Sequence, residues 1–267
     1  MAIRASTEEG VLEVVIDDAA RGNVVSLAWV ADMRAALAEL GPDVGCLLLR
    51  SEGRNFGLGG DVATFAGDDP AGDVGRLVEG VHEISRQLAA LEIPLVIAVQ
   101  GWAAGVGMSL ALMGDVVLAG VSTRFKTAYA GIGLVADGGL TWTLPRRLPH
   151  ALALDLLLTD RALTAAEALA HGIVSRVSED EELVEDARRL ARTLAVGPRE
   201  AHRAVKRLVR DGRSSDLHAQ LDAEAAAMVA AVVSPEGREG VEAFLARRAP
   251  DFASTRSPRR LSTRTDA

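Results

Sequence analysis

The chain has 267 residues, with 37 acidic against 29 basic side chains and a formal net charge of -8. That acidic balance, with aromatic residues at only 3%, argues against a binder of phosphate backbones and against the stacking platforms that hold single-stranded nucleic acid. Hydrophobic residues at 49% and charged residues at 25% exclude a wholly disordered chain, and the length favours one domain with an appendage.

From the N-terminus, Val11 to Asp17 alternates and is predicted as a strand, with Leu12, Val14 and Ile16 on one face and Glu13 and Asp17 on a wetter one. Ser26 caps a predicted helix through Leu40, with Leu27, Val30, Leu37 and Leu40 on one stripe and Gly41-Pro42 as its stop. Cys46 to Leu49 reads as a buried strand, followed by a polar, glycine-rich loop to Asp61. A helix over Val74 to Leu91 ends before Pro94, and Leu95 to Val99 is a second buried strand. A small-residue turn over Gly101 to Ala104 leads into a helix from Gly105 to Met113, then a strand over Val116 to Ala119. Thr164-Ala-Ala-Glu167 has the pattern of a capping box, Gly172 stops that helix, and Ile173 to Val177 reads as a strand.

From Glu181 to Arg248 the period is helical throughout, broken at Gly197-Pro198, Gly212 and Ser234-Pro235. The expected division is therefore an alternating α/β core over 1–195, a helical region over 196–253 and a flexible, arginine-rich tail over 254–267. The apolar stripes after Pro198 must pack on their own core or on a neighbouring subunit. No tandem repeat with a clear period is present.

The lone cysteine, Cys46, allows neither an intrachain disulfide nor a cysteine zinc site, and the histidines outside the Val74 to Leu91 helix show no metal-ligand spacing. The start, Met1 to Gly10, carries no apolar signal segment, and the longest apolar candidate, Ile93 to Leu118, is interrupted by Pro94, glycines and Asp115. The expectation is a cytoplasmic protein with no membrane partner. A G-x-G-x-x-G fingerprint fails because Gly105 and Gly107 are followed by Leu110, and no phosphate loop ending in Gly-Lys-Ser or Gly-Lys-Thr occurs. Ser109 lies too far from the strand end for a nucleophile elbow and reads as a small packing residue.

A different use of the same parts remains. Val106 lies in the first turn of the helix predicted from Gly105, so its N–H has no partner within that helix, and the surrounding glycines and alanines let a ligand approach. A second main-chain donor can come from Gly60 in the segment Phe56-Gly-Leu-Gly-Gly-Asp61. Two such donors aimed at one oxygen form an oxyanion hole, suited to a thioester carbonyl that becomes an enolate.

Several segments, in order and spacing, carry a resemblance: Arg21-Gly-Asn-Val-Val-Ser26, Asn55 to Asp61, Pro94 to Gly107, Leu163 to Val177, Gly197-Pro198 with Lys206, and Glu239 to Arg248. Over about residues 10 to 252 the chain resembles the crotonase, or enoyl-CoA hydratase/isomerase, superfamily. The resemblance implies an α/β fold, the ClpP/crotonase-like superhelix of ββα turns, with a C-terminal α-helical trimerisation region. It further implies an acyl-CoA substrate, a homo-trimer or a hexamer made as a dimer of trimers, and no cofactor beyond the coenzyme A carried by the substrate. On the family's pattern the Gly60 and Val106 N–H groups hold the thioester oxygen, and Gly60, Asp61, Val62, Ala63, Gly105 and Val106 border the bound substrate.

Departures from the hydratase pattern sharpen the expectation. The two glutamates that activate water in hydratases fall at Ser109 and Tyr129. Ser109 is not a base near neutral pH without a partner, and an ordinary tyrosine, with a pKa of about 10, is a donor. The stretch Tyr129-Ala-Gly-Ile-Gly-Leu-Val-Ala-Asp137-Gly-Gly instead resembles the ring-1,2-epoxyphenylacetyl-CoA isomerase-like subgroup, where an aspartate at the position of Asp137 transfers the proton. Ala136 replaces a common proline there. An aspartate before Gly-Gly also serves as a turn or cap residue. His82, mid-helix, is either a packing histidine or, as in the related 4-chlorobenzoyl-CoA dehalogenase, a base beside an aspartate nucleophile. The alternatives to isomerisation are hydration by other groups, a catalytically silent CoA-binding subunit, and dehalogenase-like hydrolysis.

Overall fold

The computed structural model describes residues 2–256; most of the expected tail, 257–267, lies outside the described residues. Contacts divide the chain into two compact units that meet at Ala195 and Val196. In chain order the first unit comprises β1 (Ile3–Glu8), β2 (Val11–Ile16), α1 (Leu27–Leu37), β3 (Cys46–Ser51), α2 (Pro70–Ala90), β4 (Leu95–Val99), β5 (Trp102–Ala104), α3 (Val106–Ala111), β6 (Val116–Gly120) and β7 (Arg124–Lys126). It continues with α4 (Leu140–Arg147), α5 (His150–Thr159), β8 (Leu163–Thr164), α6 (Ala165–Ala170), β9 (Arg176–Ser178) and α7 (Leu183–Val196).

Six strands form one sheet in the order β1-β2-β3-β4-β6-β9, parallel except for the β1–β2 pair. A second sheet holds β5, β7 and β8. Isolated bridges join Gly57 to Ala103 and Val25 to Gly60. These pairings give a recurring unit: a strand in the large sheet, a short strand or single bridge beyond it, then a helix. It runs through β2, Val25 and α1; through β3, Gly57 and α2; through β4, β5 and α3; and through β6, β7 and α4. The stretch Gly101 to Ala104, expected as a turn, therefore contains the strand β5. Its ladder is too short for an alternation to be legible.

The central strands β2, β3, β4 and β6 of the large sheet are buried on both faces, which explains the unbroken apolar runs of β3, β4 and β6. Leu47, Leu49, Leu95, Ile97, Val117 and Ala119 enter one core with α1 and α2. Their neighbours Cys46, Leu48, Val96, Ala98 and Leu118 enter a second core against α7. Helix α7 offers that face Ala187, Ala191 and Ala195, a four-residue spacing of small side chains that lets helix and sheet approach closely. The face of β2 expected to be wet is covered as well. Val11 and Val15 are buried, and Glu13 pairs with Arg50 of β3 and with Arg188 of α7, the latter at 2.9 Å. Burial opposes ionisation of Glu13, but the two guanidinium groups outweigh it and hold the carboxyl below its ordinary range.

Two further boundaries differ from expectation. Helix α1 ends at Leu37, and its buried face is Trp29, Val30, Met33, Ala36 and Leu37, whereas Leu27 is 45% exposed. The strand expected over Ile173 to Val177 forms only at Arg176–Ser178. Ile173 and Val174 are buried but their N–H groups close onto the Ala168 carbonyl, so they terminate α6. The capping box of α6 is present in both halves, with Thr164 accepting from the Glu167 N–H and Glu167 accepting from the Thr164 N–H.

The second unit contains α8 (Arg199–Asp211), α9 (Leu217–Val233) and α10 (Pro235–Leu245). Glu236 accepts from the Arg199 and Glu200 N–H groups, at 3.1 and 2.8 Å, and so caps α8 from α10. No residue of α8 or α9 is buried. Val209, Met228, Val229 and Phe244 are among the large apolar side chains left exposed.

Candidate active site

Two glycine-rich stretches, one after β3 and one after β5, lie against each other. Gly105 has φ 54°, and a Cβ there would stand 3.2 Å from the Cα of Gly59, so the site needs glycine for both conformation and space. The flanking main chain is pinned. Val25 N–H donates to Gly59 O at 2.8 Å, Asp61 N–H to Val25 O at 2.9 Å, Gly105 N–H to Lys126 O at 3.1 Å and Ser109 N–H to Gly105 O at 3.1 Å. Between these bonds the Gly60 and Val106 N–H groups donate to no other residue among the described ones. Val106 is the first residue of α3, where an N–H has no acceptor within the helix.

Both residues line a cavity of about 480 Å³. Helix α2 supplies one wall through Pro70, Ala71, Val74, Leu77, Val78 and Val81. Helix α2 begins at Pro70, four residues before the sequence expectation, because Asp69 caps it and proline is tolerated in its first turn. The opposite wall comes from Ala128, Tyr129, Ile132, Leu134, Val135 and Asp137. Among the described residues Asp137 is the only charged side chain in the lining.

Of the residues singled out in the sequence, Gly60, Val62, Gly105, Val106, Tyr129 and Asp137 line this cavity, while Asp61, Ala63, His82 and Ser109 do not. Asp61 accepts from Arg21 at 2.6 Å and caps the short turn Val62–Ala66 through the Ala63 N–H. Ser109 is fully buried, and its hydroxyl donates to the main-chain carbonyl of Asp137 at 2.9 Å. His82 Nε2 accepts from the Gly138 N–H at 3.3 Å, and Ser85 donates to the Gly138 carbonyl at 3.3 Å. Three side chains thus hold the main chain that directly follows the Asp137 side chain. Gly138 itself has φ 62°, and a Cβ there would meet the Ser109 Cβ at 2.9 Å.

The Tyr129 hydroxyl donates to Asp137 Oδ1 at 2.5 Å. Burial first, and then the charge of Asp137, pushes the phenol far above its ordinary range, so it stays a protonated donor at any working pH. Asp160, which sequence reasoning passed over, holds the turn that carries Tyr129. It accepts from the Thr127 hydroxyl at 2.6 Å, the Tyr129 N–H at 3.2 Å and the Gly131 N–H at 2.6 Å. Its one sequence signal is an aspartate directly after the helical stretch ending at Thr159, a position that often caps a neighbouring turn.

Among the described residues no group of three or more His, Cys, Asp or Glu side chains could hold a metal ion, and no helix is long and apolar enough to cross a membrane.

The fold is that of the crotonase class: stacked ββα turns around an apolar chamber, here lined by Gly60, Val106 and Asp137 among others. Residues 6–255 match the family model described as Enoyl-CoA hydratase/isomerase, and the chain belongs to that family. It is 37% identical over 255 residues to the 1,2-epoxyphenylacetyl-CoA isomerase of Escherichia coli K12, covering 94% of this chain and 97% of that one. A Rhodobacter capsulatus protein named "Probable enoyl-CoA hydratase" is 34% identical over 253 residues, at 94% and 97% coverage. Among solved structures, an enoyl-CoA hydratase from Polaromonas sp. JS666 superposes with a TM-score of 0.88 at 31% identity, covering 94% of this chain and 99% of that one.

Proposed function

We propose that this enzyme shifts a carbon–carbon double bond in an acyl-CoA, converting a 3-enoyl thioester to the conjugated 2-enoyl form. The Gly60 and Val106 N–H groups receive the thioester oxygen, and Asp137 removes a proton from C2. The electron pair passes into the thioester as a dienolate, and the same proton returns at C4. Each hole donor contributes about 3 kcal/mol to holding that charge, judged from oxyanion-hole mutants in general. The observation that carries this reading is a single carboxylate, Asp137, in a chamber that also holds both unpaired N–H groups. Hydration by two carboxylates lacks its second member, since the positions of the hydratase glutamates are Ser109, tied to the Asp137 carbonyl, and Tyr129, a neutral donor. For hydrolytic chemistry through His82, Nε2 is engaged by the Gly138 N–H.

Outside the chamber, the exposed apolar side chains of α8 to α10 support assembly into a homo-trimer, or a hexamer of two trimers, in which neighbouring copies cover them. No cofactor is required beyond the coenzyme A of the substrate, and a cytoplasmic setting fits the lone buried Cys46.

The test is to mix the full chain with a 3-enoyl-CoA and, separately, with crotonyl-CoA. Conversion of the first to its conjugated isomer, with hydration of the second far slower, is the expected outcome. Rapid hydration without isomerisation would replace this reading with the hydratase one. Tight acyl-CoA binding with turnover of neither substrate, across a panel of chain lengths and aromatic acyl groups, would favour a silent binding subunit.

A further inference from the structure

We infer that Tyr129, held in place by Asp160, is a positioning residue that pins one oxygen of the Asp137 carboxylate and leaves the other as the sole carrier of the shuttled proton. The inference rests on the isomerase reading and adds to it a role for the residue that stands where a two-glutamate site has a carboxylate.

Three observations converge on Tyr129. Its hydroxyl sits 2.5 Å from Asp137 Oδ1, while Asp137 Oδ2 has no partner among the described residues. A neutral phenol beside a carboxylate donates but does not accept the proton, so Oδ1 is occupied throughout the reaction and Oδ2 is not. Next, the residue before Tyr129 is strained: Ala128 has φ 57°, in the left-handed region that a side chain disfavours. Such a conformation persists only where the surroundings over-determine it, and it clusters at sites where geometry is used. Finally, Asp160 supplies that over-determination. Its two oxygens take the Thr127 hydroxyl and the Tyr129 and Gly131 N–H groups, so both ends of the turn around Ala128 and Tyr129 are anchored to one carboxylate. Asp160 itself has φ 55° at the end of α5, where glycine would sit with less strain. The side chain is therefore retained against a local conformational cost.

The chemical consequence follows from the proton balance. The C2–H bond breaks, Oδ2 takes the proton, and the electron pair moves into the thioester oxygen. As the dienolate collapses, C4 takes the proton back from Oδ2 and the double bond comes to rest between C2 and C3. No other reactant enters. A carboxylate fixed at Oδ1 cannot rotate to present its other oxygen, so the proton collected at C2 is the one available at C4. A carboxylate free to rotate can carry its protonated oxygen away from the dienolate, and the label is then lost to any water that reaches it.

The experiment uses the full chain and a 3-enoyl-CoA deuterated at C2, comparing wild type with Tyr129→Phe, Asp160→Gly and Asp137→Asn. Readouts are kcat, KM, the share of label found at C4, and the Kd for a saturated acyl-CoA. Wild type should carry label from C2 to C4. Tyr129→Phe should lower kcat by about tenfold or more, as expected for loss of a hydrogen bond to a charged group, with KM and Kd within about twofold, and should reduce the label at C4. Asp160→Gly keeps the left-handed conformation, removes the anchor, and should move kcat and label the same way. Unchanged kcat and label in Tyr129→Phe, with Asp137→Asn inactive, overturns the inference and leaves the isomerase reading standing. So does delivery of solvent protons alone to C4 by wild type. Equal loss of Kd in both positioning variants also overturns it, because the role is then structural. Wild-type turnover by Asp137→Asn would instead remove the isomerase reading beneath it.

Discussion

Asp137→Asn is expected to slow isomerisation of a 3-enoyl-CoA by about 10²- to 10⁴-fold, the range for loss of a positioned general acid–base group. The substitution is close to isosteric, and the loop does not depend on the carboxylate for its position. Ser109 holds the Asp137 main-chain carbonyl, and His82 and Ser85 hold Gly138. Tyr129 can still donate to the amide oxygen of an asparagine. Binding of a saturated acyl-CoA should therefore stay near its wild-type value while turnover falls, the signature of an interaction used in the transition state. Steady-state kinetics with the conjugated product followed by absorbance checks it. Equal turnover in both proteins would mean that another group moves the proton.

Val106→Pro tests the oxyanion hole without touching a side chain used in chemistry. A main-chain N–H is normally beyond the reach of substitution, but Val106 is the first residue of α3. Proline is accommodated at that position because its missing N–H has no helical partner in any case. Gly105 before it is a glycine with φ 54°, which tolerates the restriction that proline places on its predecessor better than other residues do. One hole donor disappears and the other, Gly60, remains. The expected fall in kcat is about 10²- to 10³-fold, with a smaller change in affinity, since the thioester gains charge only as the enolate forms. Unfolding temperature measured on the same samples separates this effect from damage to the helix. A variant as active as wild type would show that Val106 does not carry the developing charge.

Much of this site is legible in the amino-acid order because main-chain chemistry leaves a trace in glycine. Gly59 and Gly105 let two loops touch while the neighbouring Gly60 and Val106 N–H groups stay unpaired, and a run of small residues before a helix announces that. Asp137 is conspicuous for the same reason, standing before two glycines of positive φ. The large sheet is equally readable, since strands buried on both faces are unbroken apolar runs. What the sequence conceals is whatever depends on short or distant pairings. The second strands of the ββα turns are as short as three residues or a single bridge, as at Gly57 and Val25, so no period betrays the repeat. Strand β1 is polar along most of its length, so no apolar alternation announces it. Asp160 lies 31 residues from Tyr129, and its place after a helix does not say which turn it anchors. Ser109 and His82 were visible as candidates, but only the fold reveals that both act on the main chain around Asp137 and do not face the chamber.

The most direct test is a structure of this enzyme with a bound, unreactive acyl-CoA. The thioester oxygen should lie about 2.7–3.1 Å from both the Gly60 and Val106 nitrogens, with C2 and C4 of the acyl chain facing Asp137. An oxygen bound elsewhere, or in reach of one nitrogen alone, would contradict the account.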